Sequence, residues 1–275
     1  NRIEYTVKCL ESLQVQSYRD FNVVVCDDGS TDGTGNRIIA DFPDVKVVKG
    51  DGNLWWTGGI NKCVEYALKE AGDDDAILTL NNDLVLPPDY LEEIAAVFSR
   101  YEKVIVASSI YDTRTKRLYD PGAVFKWTTA TSKPINQRKD HYHGDKDVAL
   151  VSHAPGRGTL IPIQAFREIG LFDQKKLPHY GADYDFTFRA TKKGYRIFVA
   201  YKAKVYSHVN ETGLTGIRER LSIKNAFDYF TSRKSPANLK NRFILAMNNC
   251  PKHLLPSYLL IDFLRLTGSF MKFHV

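Results

Sequence analysis

Ile77-Leu78-Thr79-Leu80-Asn81-Asn82-Asp83-Leu84-Val85-Leu86-Pro87-Pro88-Asp89-Tyr90 is the stretch on which the reading of the fold turns. Ile77 to Leu80 has the length and apolar content of a short buried strand. It runs straight into two amides and a carboxylate. An apolar triplet follows, then Pro87-Pro88, which stops pairing, and Asp89 stands where it can cap a helix starting near Tyr90. A polar tip on a buried strand is costly unless something uses it. In open α/β sheets ligands bind at such carboxyl ends, and an oxygen-rich end suits a hard divalent cation holding a diphosphate. The alternative is plain turn chemistry, which also favours Asn and Asp.

Outward from this segment, strands and helices alternate. Apolar spacing predicts a helix over Tyr5 to Leu13 and strands at 21–26, 45–49, 77–80 and 104–108. Helices are expected near 36–41, up to Leu68, and from Leu91 to Tyr101. Such alternation means βαβ units and a mostly parallel sheet. Right-handed crossovers then bring the loops after 21–26 and 77–80 to one rim, and these are the two acidic loops. Residues 109–150 read as a hairpin-like insert with a mobile loop near 132–147. Order resumes at Ala154 to Ile163, with a helix over 164–169 stopped by Gly170. A further helix follows the Asp183 region, then two short strands at 197–200 and 204–206. The segment from 217 onward is helical in character.

The bulk composition fits a soluble globular protein, with 43% hydrophobic and 25% charged residues in 275. Four scattered cysteines argue against a disulfide framework or zinc site and favour a reducing, cytoplasmic setting; Cys26 reads as a buried small hydrophobe. No apolar run is long enough to span a membrane. The net charge of +6 is uneven, since residues 192–275 hold fifteen Lys and Arg against four Asp and Glu. That asymmetry points to a polyanionic partner or to a solvated basic face. Apolar and basic residues interleave in this tail, so it is suited to peripheral contact with an anionic membrane, to capping the domain, or to forming an oligomer.

In order, the chain carries Asp27-Asp28-Gly29-Ser30-Thr31-Asp32-Gly33-Thr34, Asn53-Leu54-Trp55-Trp56-Thr57-Gly58-Gly59-Ile60-Asn61, Asn81-Asn82-Asp83, Gly170-Leu171-Phe172-Asp173, Asp183-Tyr184-Asp185-Phe186 and His208. Over roughly residues 5–210 this order resembles the inverting family-2 glycosyltransferases of the GT-A fold. Within them it is most similar to the rhamnosyltransferase-like bacterial group that builds surface polysaccharide. The resemblance implies an α/β fold with a mostly parallel mixed sheet flanked by helices. It also implies a catalytic domain over 1–214 and a basic amphipathic helical extension over 215–275. Relatives open with an apolar strand before the first helix, so a truncated N-terminus is expected here.

By position, the resemblance makes Asp27 the acceptor of a uracil or thymine N3–H, while Asp28 and Asp32 contact the donor or brace the turn. Asn53, Gly58, Gly59 and Asn61 match the segment passing the nucleotide-sugar, and Trp55 and Trp56 stack on a sugar or fill core. Asn82 and Asp83 belong to the metal motif, whose first Asp is Asn81 here. Asp83 and His208 are the expected ligands of Mn2+ or Mg2+. Asp183 is the expected base, with Ala182 where relatives place Glu. Tyr180, Asp185 and Arg189 are acceptor contacts or supports, with Asp185 paired to Arg189 one turn on.

The implied partners are a nucleotide-sugar donor (dTDP-rhamnose or a UDP-hexose) and a glycan or lipid-linked acceptor, with no nucleic acid. Two other readings stand beside this one. A nucleotide-sugar binding protein without turnover is kept open by Asn81 and Ala182. A sugar nucleotidyltransferase would want a Gly-rich basic loop near the N-terminus, which the sequence lacks.

Overall fold

The computed structural model describes residues 1–209 and 223–274. The first half alternates as expected: α1 (Ile3–Gln14), β1 (Val24–Asp27), α2 (Thr34–Asp41), β2 (Lys46–Lys49), α3 (Trp55–Glu70), β3 (Ala76–Thr79), β4 (Leu84–Val85) and α4 (Tyr90–Phe98). Next come β5 (Val104–Asp112), β6 (Leu118–Asp120), the hairpin β7 (Ala123–Lys126) and β8 (Thr131–Pro134), and β9 (Val148–Leu150). Then follow β10 (Thr159–Pro162), α5 (Ile163–Ile169), α6 (Ala182–Lys192) and β11 (Arg196–Ser207). α5 stops at Gly170, whose φ of 81° is open to glycine at no steric cost. The C-terminal segment gives α7 (Ile223–Thr231), α8 (Leu239–Asn249) and α9 (Leu255–His274). The expected boundary at 214/215 lies outside the described residues.

The main sheet has seven strands, with a path β3-β10-β5-β11-β4, β6 on β5 and β9 on β11. β10 is antiparallel to both β3 and β5, and β5 is parallel to β11, so β3, β5 and β11 run one way. The sheet is thus mixed, with β3 and the two long strands aligned and β4, β6, β9 and β10 reversed. β5 is buried from Val104 through Ile110, as a strand covered on both faces must be. The two strands expected at 197–200 and 204–206 are one. β11 carries an irregularity between Ala200 and Lys204 that resets its register on β5.

β1 and β2 form a separate parallel pair. Between that pair and β3 runs a cleft of about 2480 Å³, whose walls include Val23, Val25, Leu78, Leu80 and Ile94. Cys26 lines it too and is half-buried, not fully buried as its apolar run suggests.

α1 ties the loops on the two sides of this cleft. The Ile3 amide donates to Asp32 at 3.0 Å, and Asn82 Nδ2 donates to Thr6 Oγ1 at 3.0 Å. At its C-terminal end, fully buried Gln16 donates to the carbonyls of Ser12 (2.9 Å) and Pro87 (2.7 Å) and accepts from the Leu91 amide (2.9 Å). Gln16 therefore does for α4 what Asp89 was expected to do. Asp89 occupies the N-cap position but makes no side-chain cap.

Gln16→Ala strands the Leu91 amide, while the Pro87 carbonyl keeps the Tyr90 amide at 3.1 Å. It should cost about 1–3 kcal/mol, read as a lower urea midpoint at unchanged slope.

Candidate active site

The cleft gathers Asp27, Asp28, Trp55, Trp56, Gly59, Asn81, Asn82, Asp83, Tyr180 and Asp183 along one wall system. Most arrive at or just beyond the end of a regular element, so the scaffold fixes them and the loop only presents them.

Asp27 ends β1, and its Oδ1 accepts the Ser30 amide at 3.0 Å. A Cβ on Gly35 would stand 2.3 Å from Asp27 Oδ2, so α2 approaches this carboxylate through a residue with no side chain. Asp28 spends both oxygens on backbone, accepting from Gly52 (2.7 Å) and Leu54 (2.8 Å). It braces the loop that leads into α3. Asp32 does the same for the next turn, accepting from Thr34 and Ile3. Those bonds hold its carboxyl down at about 2, the Thr34 hydroxyl contributing most.

Trp55 begins α3 with φ of 57°, a region costly for a bulky side chain. Its indole donates to Asn53 Oδ1 at 3.1 Å, meets His179 edge-on at 5.7 Å and lies under the Arg233 guanidinium at 5.5 Å. Trp56 is wall as well as core. It packs on Phe172 and donates to Asn81 Oδ1 at 2.8 Å. Two residues expected at the donor are buried. Asn61 is 3% exposed and bridges α3 to the 172–174 loop through Phe172 and Gln174. Gly58 is buried against Leu54. Asn53 is exposed beside the cleft, with its amide oxygen taken by Trp55.

Asp83 is 2% exposed, and its Oδ1 is buried without a hydrogen-bond partner. Burial pushes its carboxyl up, opposed by the charges of Arg157, Arg2 and His208. Arg2 Nη1 stands 3.8 Å from Oδ2. The amide of His208 donates to the Asp83 carbonyl at 3.3 Å, and His208 Nδ1 lies 3.2 Å from Thr113 Oγ1. A partner on Nδ1 leaves Nε2 as the ring's ligand atom. Among the described residues no group of three or more His, Cys, Asp or Glu is arranged to hold a metal. An orphaned carboxylate oxygen with one histidine does fit a hard cation that takes its other ligands from phosphate and water.

Asp183 sits in the first turn of α6. Its Oδ2 accepts the Gly156 amide and its Oδ1 the Tyr184 amide, both at 2.9 Å. Burial raises its pKa, and the Gly156 amide is the largest influence in the other direction. Asp185, fully buried, plays a different part. It accepts from Arg189 Nε (2.8 Å), Asn248 Nδ2 (2.9 Å) and Asn249 Nδ2 (2.9 Å). Arg189 passes the link on to the carbonyls of Ile169 and Leu171. Asp185 thus joins α5, α6 and α8, and the expected pairing with Arg189 is present. Sequence reading missed Gly156, Arg157 and the two asparagines. Their positions carry no motif, though Gly156-Arg157-Gly158 does break an otherwise apolar run. The cleft-lining thiol of Cys26 is pushed up to about 11 by burial and by Asp28, so it is protonated at neutral pH.

This fold, with carboxylates at strand ends around one cleft, is that of a GT-A glycosyltransferase. Residues 1–156 match the family described as "Glycosyl transferase family 2", and the chain belongs to that family. The N-acetylglucosaminyl-diphospho-decaprenol L-rhamnosyltransferase of Mycobacterium tuberculosis (strain ATCC 25618 / H37Rv) is 23% identical over 216 residues, 72% of this chain and 70% of that protein. Two solved structures share the fold. The mannosyltransferase PcManGT from Pyrobaculum calidifontis, in complex with GDP-Man and Mn2+, has a TM-score of 0.58 at 16% identity, covering 98% of this chain and 72% of that one. GalNAc-T7 with UDP, GalNAc and Mn2+ has a TM-score of 0.58 at 14% identity, covering 74% of this chain and only 40% of that one.

The two aspartates of α6 should separate on melting. Asp185→Asn removes the charge from a buried pair and should cost about 3–5 kcal/mol, seen as a large fall in Tm. Asp183 holds its proton more tightly folded than unfolded. Its contribution is therefore full below the ordinary carboxyl range and is lost as pH rises through the raised folded value. Asp183→Asn carries no charge at any pH, so its Tm should gain on the wild type as pH rises, in a thermal series from acid to neutral.

Proposed function

We propose that this chain is a metal-dependent inverting glycosyltransferase. It moves a sugar from a pyrimidine-nucleotide donor, dTDP-rhamnose or a UDP-hexose, to a hydroxyl of a glycan or lipid-linked acceptor in surface-polysaccharide synthesis. One observation carries the reading: Asp83, with one carboxylate oxygen buried and unpartnered, lines the same cleft as Asp183, whose carboxyl is desolvated. Asp83 and His208 would hold Mn2+ or Mg2+, which when bound supplies Lewis-acid stabilisation of the leaving diphosphate. Asp27 at the end of β1 accepts the N3–H of the base, and a carboxylate there disfavours cytosine, whose N3 is an acceptor. Asp183 takes the proton of the attacking hydroxyl, and a single displacement inverts the anomeric carbon. The raised pKa of Asp183 makes it a stronger base than a solvated carboxylate. The mycobacterial relative's rhamnosyltransferase activity supports rhamnose and a lipid-diphosphate acceptor, and Mn2+ beside nucleotide ligands in the two structures supports the metal.

The C-terminal helices fit an acceptor of that kind. Phe243 and Met247 on α8, and Leu260, Phe263, Leu264 and Met271 on α9, are exposed by 48–62%. From Tyr229 to the C-terminus the sequence has one acid, Asp262, and it is buried against Arg242. Among the described residues no helix is long and apolar enough to cross a membrane. An apolar stripe framed by cations suits peripheral contact with an anionic leaflet, which residues 215–275 would make as an extension of a catalytic domain over 1–214.

The deciding experiment measures sugar release and transfer from a set of nucleotide-sugars with Mn2+ and with chelator. Turnover of a dTDP- or UDP-sugar that is lost in chelator and in Asp83→Ala supports the reading. Turnover indifferent to both removes the metal role. Asp183→Asn should slow transfer by about two to four orders of magnitude while donor affinity changes little. Wild-type transfer should rise with pH across a limb set above the ordinary carboxylate range, the direction in which burial moves Asp183. Flotation with phosphatidylglycerol vesicles should show binding at low salt that fades at high salt; no binding at low salt would assign α8 and α9 to a domain cap.

A further inference from the structure

Arg157 lines the cleft with the two carboxylates on which the proposed chemistry rests, its charge acts on both, and no motif points to it. Its backbone is fixed from both sides. A Cβ on Gly156 would stand 2.0 Å from the Trp56 ring. Gly158 has φ of 79°, and a Cβ there would meet Ser108 Oγ at 2.7 Å. The Gly158 amide donates to the Thr79 carbonyl at 2.8 Å, and the Ser108 amide to the Gly158 carbonyl at 2.8 Å. The turn is therefore welded to β3 and β5, and the direction of the side chain between the two glycines is set by backbone.

The guanidinium reaches the cleft. Nη1 donates to Ser207 Oγ at 3.3 Å, and Ser207 directly precedes His208. Its charge is felt by Asp83, Asp183, Tyr180 and Tyr184. Among the described residues the salt bridges of Asp83 and Asp185 are to Arg2 and Arg189, and Arg157 makes no close ion pair. One long bond to a neutral hydroxyl leaves most of its N–H donors uncommitted. A planar fork of donors matches two phosphate oxygens better than any other side chain does. Asn81 adds no negative charge at the end of β3, so an anion placed there meets less repulsion than beside two carboxylates.

We propose that Arg157 binds the diphosphate of the nucleotide-sugar and stabilises the charge that grows on it during transfer. This rests on the reading of the cleft as a nucleotide-sugar site. In the step itself the bond between the anomeric carbon and the diphosphate oxygen breaks, and its electron pair leaves with that oxygen. The acceptor oxygen bonds to the anomeric carbon, and its proton passes to Asp183. Arg157 faces the oxygen that gains charge, and so acts more strongly in the transition state than in the bound donor.

The test is calorimetric titration of UDP and dTDP, and of uridine and thymidine, into wild type, Arg157→Ala, Arg157→Gln and Arg157→Lys with Mn2+. Transfer kinetics and melting curves accompany it. Arg157→Ala should weaken the nucleoside diphosphates by about ten- to a hundredfold and leave the nucleosides unchanged. Its kcat should fall by more than its KM rises, and Arg157→Lys should recover part of both. Equal binding of diphosphates by wild type and Arg157→Ala overturns the assignment. So does a parallel loss of nucleoside and diphosphate with a lower Tm, which marks a structural counter-ion. Should the alanine variant fail to fold, Arg157→Gln carries the same comparison. Wild type that binds neither diphosphates nor nucleosides overturns the nucleotide-sugar reading, and this proposal with it.

Discussion

At Gly156 there is no room for a side chain, because the Trp56 ring occupies the space a methyl would need. That close approach lets three things happen within a few ångströms. The Gly156 amide reaches Asp183 at 2.9 Å, the Trp56 indole reaches Asn81 at 2.8 Å, and the next residue, Arg157, is delivered to the cleft. Helix α3, the end of β3, the turn before β10 and helix α6 all meet there. Any residue but glycine would push α3 away from the sheet, and the parts of the site on α3, β3 and α6 would separate.

The acids divide by what their oxygens already hold. Asp28 and Asp32 are filled by backbone amides and stiffen turns. Asp185 is filled by an arginine and two asparagines and stiffens helix packing. Asp83 keeps an oxygen with no partner, and Asp183 is held by amides but carries a raised pKa. Desolvation without full compensation is costly to a fold, so its survival at two positions in one cleft distinguishes them from acids that only build structure.

Much of this was legible in the sequence. Short apolar runs ending in Asp27 and Asn81-Asn82-Asp83 mark strand ends, and strand ends in such sheets collect at one rim. What was not legible depends on which way a side chain turns within an element. Asn61 and Gly58 sit in the same segment as Trp55 and Gly59, but the helical turn of α3 sends them inward. β11 looks like two strands because its irregularity interrupts the apolar run, while the pairing with β5 continues across it. Asp89 stands at the right place for a cap, yet Gln16, just past the end of α1, makes the bond. The asparagines that hold Asp185 lie 63 and 64 residues away, beyond any local pattern.

That last separation bears on the order in which the molecule is made. A ribosome releases α6 well before α8, so for that interval the Asp185 carboxylate has Arg189 but neither of its amide partners. α6 then lacks the contact that seats it against the C-terminal helices, and Asp183 rides on α6. Asp27 and Asp28 belong to contacts closed within the first half of the chain. Asp183 waits for the final helices to emerge, so a nascent chain would set the Asp27 and Asp28 loops before Asp183 is fixed.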